Sequence, residues 1–223
     1  KYGKGRERKT EIRAFDTIQA AVVAANNAKL YVNRADGFVG FGLKKDEFIC
    51  DCSDLDDIIA IRKDGKMVVS KIQEKLFMGK DILYVGVFRK NDERMTYNLI
   101  YLDGTSGRAM VKRFQVGGIT RDKEYDLTKG TKGSKVLYLT ANPNGEAETI
   151  TVYLTQGAKA RIKVFDFDFS EIEIKGRGAG GNILTKYPIR KIQFKMEGKS
   201  TLGGLNVYYD PSVGRLNTDN RGK

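Results

Sequence analysis

The sequence predicts an all-β protein built as an array of similar blades, and three observations carry that reading. Apolar and polar residues alternate at period two through short runs such as 149–155 (TITVYLT), the pattern of half-buried strands. A strand, a glycine-closed turn and a second strand recur along the chain, with turn glycines at Gly37, Gly65, Gly107 and Gly157. These lie 28, 42 and 50 residues apart, an irregular spacing near the period of several-stranded blades. Helix signals are scarce: Asn26-Asn27 interrupts the alanines of 22–28, and residues 121–127 supply at most one turn.

Taken in order, residues 1–13 (KYGKGRERKTEIR) are charged and lack apolar periodicity. They fit a linker equally with an arm whose Lys4, Arg6, Arg8, Lys9 and Arg13 touch a polyanion. The chain opens on Lys1 and not on Met, so it reads as a fragment of a longer protein. The β domain is expected over 14–217, with a short tail over 218–223. Residues 20–25 (AAVVAA) form an apolar strand, 29–33 a second after the Asn-Asn turn, and 38–43 a third after Ala35-Asp36-Gly37. The unit recurs as 58–61 and 66–72 around Asp64-Gly65, then as 99–102 and 108–114 around 103–107. A fourth copy sets 152–154 against 159–165 around Gln156-Gly157, and a degenerate fifth occupies 205–217. Four or five blades, in a closed or an open ring, fit this pattern.

The fullest copy is 149–181. Beyond its turn, Lys159, Arg161 and Lys163 share one strand face, while Ala160, Ile162 and Val164 share the other. Parity then flips, with Phe165, Phe167 and Phe169 on odd positions and Ile172 and Ile174 on even ones. A straight strand buries only one of these sets, so a bend or bulge must separate them.

Forty Lys and Arg against 28 Asp and Glu give a formal charge of +12, which points to a polyanionic partner such as nucleic acid. The charge is uneven: residues 108–135 hold eight basic and three acidic residues, and 44–57 hold two and six. Cys50 and Cys52 are the only cysteines, too close for a relaxed disulfide and without a His to complete a zinc site. They read as inert core thiols, which suits a reducing cytoplasm. The absence of His removes the usual general base and the serine-protease triad. No apolar run approaches the roughly 18–20 residues of a membrane span, and no signal peptide is visible.

Cations follow the turn glycine in successive copies: Lys66 and Lys71, then Arg108, Lys112 and Arg113, then Lys159, Arg161 and Lys163. Stacked in an array these make a positive band, although Lys-rich strand faces also serve simply to deter edge pairing. Glycine-rich basic loops come next: 77–80, 129–135 with Lys129 and Lys132, and 175–182 with Lys175 and Arg177. Glycine lets backbone N–H groups approach phosphate oxygens closely. Gly176, Gly178 and Gly181 match a dinucleotide-binding glycine pattern, but residues 182–188 read as a strand cut by proline, and that motif requires a helix there. The acidic run Asp51, Asp54, Asp56 and Asp57 lacks calcium-loop spacing and reads as a solvated turn.

With these features assembled, the sequence resembles the C-terminal domain of the A subunit of bacterial type IIA topoisomerases, the gyrase and topoisomerase IV family. The repeated strand–turn–basic strand unit, KRF at 112–114 and GAKARIKVF at 157–165 carry the resemblance, which spans most of 14–217. It implies a β-pinwheel, a propeller-like ring of four-stranded blades that binds and bends duplex DNA on a basic outer rim. It also implies that the chain is non-catalytic and holds no cofactor. The nucleophilic tyrosine, the ATP site and the Mg²⁺ site would belong to the catalytic core and the ATPase subunit, its partners in a cytoplasmic holoenzyme. Gyrases carry a Q-R-R-G-G-K-G box in the first blade; here that region is the acidic KKDEFICDCSDLDD, and the nearest box-like segment is 175–182. The departure favours a topoisomerase IV-type subunit, relaxing and decatenating DNA, over a supercoiling one. The expected DNA contacts are Lys66, Lys71, Arg108, Lys112, Arg113, Lys129, Lys132, Lys159, Arg161, Lys163, Lys175 and Arg177. The rival readings are a propeller-like scaffold for acidic proteins and an enzyme with carboxylates in a central channel.

Overall fold

The computed structural model describes residues 27–202 and the backbone of two further strands, 206–210 and 215–219. The expected linker over 1–13 and the strand over 20–25 lie outside the described residues. The first strands are β1 (Ala28–Asn33), β2 (Phe38–Gly40), β3 (Glu47–Cys52), β4 (Asp57–Arg62), β5 (Lys66–Lys71) and β6 (Leu76–Phe77). Next come β7 (Ile82–Phe88), β8 (Thr96–Leu102), β9 (Ala109–Gln115), β10 (Glu124–Asp126), β11 (Lys135–Asn142) and β12 (Thr149–Leu154). The chain continues with β13 (Val164–Asp168), β14 (Ile174–Gly176), β15 (Asn182–Thr185), β16 (Ile189–Met196), β17 (Asn206–Asp210) and β18 (Arg215–Asp219). The one helical element among the described residues is a 3-10 turn, Phe169–Glu171. No helix among them is long and apolar enough to cross a membrane.

A single rule generates the sheets. Each is founded on a hairpin, β1–β2, β4–β5, β8–β9 or β12–β13, and the first strand of that hairpin gains an antiparallel neighbour: β3, β7, β11 or β16. The second strand gains its neighbour only after the chain has built the next hairpin. Thus β6 returns to β2, β10 to β5 and β15 to β9, all antiparallel. The third sheet carries one addition, β14, which runs parallel to β9 along 113–115 while β15 pairs along 109–111. Each sheet is therefore tied to its successor by a strand exchanged in space. β17 and β18 pair with each other as the expected fifth copy.

The sheets stack face to face across three apolar layers. Residues 58–61 of β4 are buried without a break because both faces of that strand are covered. Ile58 and Ala60 pack with Leu30, Val32 and Val39 of the first sheet, and Ile59 and Ile61 pack with Tyr97, Leu99 and Phe114 of the third. In that second layer Tyr97 stacks on Phe114 at 5.3 Å between ring centroids. The third layer joins Ile100 and Val111 to Ile150, Val152 and Leu154 of the fourth sheet.

Two expectations need correction. Residues 159–163 are not strand; the chain turns irregularly until Val164, where β13 begins. Residues 121–127 form no helical turn, and their second half is β10. The parity flip at the phenylalanines falls at the 3-10 turn. Asp168 caps it by accepting from Ser170 N at 2.8 Å, and Phe169 within the turn and Ile172 just after it enter the third layer.

Candidate nucleic-acid interface

The strand-exchange rule brings all four hairpin turns to one end of the stack. The connector 78–81, leaving β6, binds the first turn through Met78 N to Gly37 O at 2.8 Å and the second through Lys63 N to Asp81 O at 2.9 Å. The connector 127–134, leaving β10, binds the second turn through Leu127 N to Gly65 O at 2.8 Å. It reaches the third through Gly104 N to Ser134 Oγ at 3.1 Å. The connector 186–188, leaving β15, meets the fourth through Thr155 N to Pro188 O at 3.0 Å. Gly37 shows why glycine closes such a turn. Its φ is +82°, and a Cβ there would lie 2.2 Å from Gly79 O, inside the connector backbone.

Basic side chains collect on these stitched turns and connectors. Lys63, Lys80, Arg108, Lys129, Lys132, Lys159, Arg161 and Lys186 are exposed there, and no ion pair holds any of them among the described residues. Lys163 is exposed and donates to Gln156 O at 2.6 Å, which folds it back on its own turn. Lys66, at the turn end of β5, is half-buried and paired with Glu124 at 3.0 Å. Lys71 stands apart, exposed at the far end of β5 opposite Asp57. Lys63 and Lys186 escape a reading of the sequence because neither follows a turn glycine nor lies in a glycine-rich loop, whereas Lys80 belongs to the basic loop 77–80. Strand exchange aligns all three with the other turns.

Lys112 and Arg113 are corrections. Both are 1% exposed, among the most enclosed side chains of the molecule, so neither lies on an outer face. Arg113 faces the fourth sheet, where Nε donates to Asn98 Oδ1 at 2.9 Å, Nη1 to Thr201 Oγ1 at 2.9 Å and Nη2 to Gly145 O at 2.8 Å. Asn98 Nδ2 in turn donates to Glu148 Oε2 at 2.6 Å. Burial works against the guanidinium's charge, and Glu148 and Asp168 offset that. Lys112 lies over the Phe114 ring at 4.9 Å and donates from Nζ to Arg177 O at 2.8 Å and Ala179 O at 3.1 Å. Burial pushes its ammonium down to about 8, against partial support from Asp126.

The loop that receives Lys112 is the box-like segment, turning between β14 and β15 along the edge of β9. Lys175 and Arg177 are half-buried there. Arg177 Nη1 donates to Gly118 O at 2.7 Å, and its guanidinium lies 4.2 Å from the Tyr125 ring of β10, which also carries Lys123 at 5.6 Å. Lys175 Nζ reaches Asn182 Oδ1 at 3.4 Å. Lys129 lies against Gly180: its Cε would be 2.5 Å from a Cβ at that glycine. The loop therefore continues the cationic ground of the second connector. β15 follows it, so the dinucleotide reading fails for the reason expected.

The acidic run lies at the other end of the stack. Asp56 accepts from Ser53 N at 2.8 Å to close a turn, and Asp57 pairs with Arg121 at 2.9 Å. Cys52 is buried, and burial raises its thiol to about 11, which makes it a poor nucleophile.

Comparisons with known proteins agree with this architecture. Residues 29–197 match the family described as topoisomerase C-terminal domain, Bacteroidota. Over 128 residues the chain is 31% identical to the A subunit of DNA topoisomerase 4 of Borreliella burgdorferi, an alignment covering 57% of this chain and 20% of that protein. Among solved structures it is similar to the C-terminal domain of DNA topoisomerase IV, with a TM-score of 0.55 at 14% identity. That match covers 78% of this chain and 62% of the other, and it identifies the fold as a β-pinwheel. The chain thus spans about a fifth of the curated relative's length.

Proposed function

This chain belongs to the family of topoisomerase C-terminal domains of Bacteroidota, and from that premise we propose that it binds and bends duplex DNA along its stitched turns. The carrying observation is that, among the described residues, exposed cations without ion pairs occupy all three connectors and three of the four hairpin turns. Lys63, Lys80, Arg108, Lys129, Lys132, Lys159, Arg161, Lys163, Lys175, Arg177 and Lys186 are the proposed phosphate contacts. Phosphate contacts fix position without reading sequence, so binding is non-specific. Bending 20–30 base pairs by 40–90° costs about 1–6 kcal/mol, which the added contacts must exceed.

In the longer protein the domain steers a duplex toward the catalytic core of its own subunit, working with an ATPase subunit that supplies the ATP chemistry. The acidic first-blade region supports a topoisomerase IV-type role in relaxation and decatenation. The test is a salt titration of duplex binding. With roughly 6–10 phosphate contacts, affinity falls about 10³–10⁵-fold between 50 and 200 mM salt. A flat response refutes the cationic track. Ligating nicked circles around the bound domain then reads the bend as trapped writhe, and a strong signed writhe would favour a gyrase-type role instead.

A further inference from the structure

We infer that the loop over β9 is a preformed phosphodiester-oxygen site made of backbone N–H groups, with buried Lys112 as its positioning residue. The inference rests on the DNA-binding reading above and adds to it an uncharged, oriented contact. Two peptide carbonyls of the loop, those of Arg177 and Ala179, point inward to Lys112 Nζ at 2.8 and 3.1 Å. In a trans peptide the C=O and the following N–H are antiparallel, and no cis peptide occurs among the described residues. The N–H groups of Gly178 and Gly180 therefore point away from Lys112, toward the outside.

The other donors of this loop are engaged. Ala179 N donates to Gly176 O at 3.0 Å, and Gly181 N donates to Tyr101 Oη at 3.2 Å. Gly178 N and Gly180 N have no hydrogen-bond partner among the described residues. Two neighbouring outward N–H groups form a concave donor pair of the kind that takes an anionic oxygen. Lys129 lies against Gly180, and Lys175 and Arg177 flank the loop, so the local field favours an anion. A Cβ at Gly178 meets nothing within 4 Å, which leaves an open approach for a phosphate. Lys112 itself contributes no surface charge; it turns the peptide planes.

The test uses the whole 223-residue chain and a mixed-sequence 20-base-pair duplex. In the free protein, amide exchange at Ala179 and Gly181 should be protected, and Lys112→Met should reduce that protection about 10- to 100-fold, as expected for loss of charged hydrogen bonds. On adding duplex, the Gly178 and Gly180 amide resonances should move downfield in the wild type and stay put in Lys112→Met. Duplex affinity should fall about tenfold or more with the salt slope unchanged, because peptide N–H groups release no counterions. A drop in slope of about 0.9 would instead mark Lys112 as a direct phosphate contact and overturn the positioning role. If Lys112→Met does not fold, Gly178→Pro removes one outward N–H and should weaken binding, while Gly178→Ala should not. Duplex binding with Gly178 and Gly180 unperturbed in the wild type sinks this site and leaves the turn cations standing. No duplex binding at all sinks the underlying function.

Discussion

The third and fourth sheets each carry a basic run beyond a hairpin turn, and the two runs have opposite fates. Lys112 and Arg113 sit inside β9, whose two faces are covered by the second and fourth sheets, and both are buried. Lys159, Arg161 and Lys163 sit in the turn before β13, where no sheet covers them, and all three are exposed. The difference lies in the stack and not in the residues. A strand covered on both faces has no outward parity, so every charge within it must find partners or be excluded. A turn at the end of the stack keeps its charges in water, free to meet a polyanion.

Breaking the buried member should give the largest effect. Arg113→Met leaves Asn98, Glu148 and the Gly145 carbonyl without their cationic partner at an enclosed junction of two sheets. Removing one side of such a network typically costs about 3–5 kcal/mol. Urea denaturation should show a loss in that range, and any protein that remains folded should keep its salt slope for DNA. A change below about 1 kcal/mol would mean that the guanidinium is not structural.

Breaking the exposed member should do the reverse. Replacing Lys159, Arg161 and Lys163 together by alanine should change stability by no more than about 0.5 kcal/mol per site, since surface substitutions away from packed features rarely exceed that. The logarithmic salt slope should become shallower by about 2.7, from roughly 0.9 for each phosphate no longer neutralised. An unchanged slope and affinity would favour a scaffold for acidic proteins over a DNA-binding rim.

The contrast also explains what the sequence could reveal. The founding hairpins are legible because turn glycines and period-two runs are local signals; β4–β5 and β8–β9 fall where Gly65 and Gly107 predict. The exchanged strands β6 and β10 are not, because strands of two or three residues carry no periodicity and their pairing depends on a distant hairpin. The burial of Lys112 and Arg113 is hidden for the same reason. Within AMVKRFQ, Lys112 shares its parity with Met110 and Phe114, and Arg113 follows Ala109 and Val111 on its row, so each continues a row of apolar residues that packs inward. That row pattern is the available signal, and a basic pair beside it outweighs it.

The smallest effect belongs to a residue between these extremes. Lys66 is at the turn end but only half exposed, and Glu124 holds it at 3.0 Å while also taking Arg62 at 2.7 Å. The bond from Lys66 lowers the Glu124 carboxyl below its ordinary value of 4.5, with Arg62 adding to the effect. Because the folded value is depressed, the stabilisation is present above 4.5 and is lost as pH falls through the lower folded value. The Lys66 and Glu124 side chains are both open to solvent, and the more enclosed Arg62 keeps its pair with Asp64. Glu124→Gln should therefore destabilise by less than about 1 kcal/mol at neutral pH and flatten the acid limb of the stability curve. The same change removes an anion beside the track and frees Lys66, so DNA affinity should rise slightly and the salt slope steepen by up to about 0.9. A fall in affinity would mean that Glu124 orients Lys66 toward phosphate instead of withholding it.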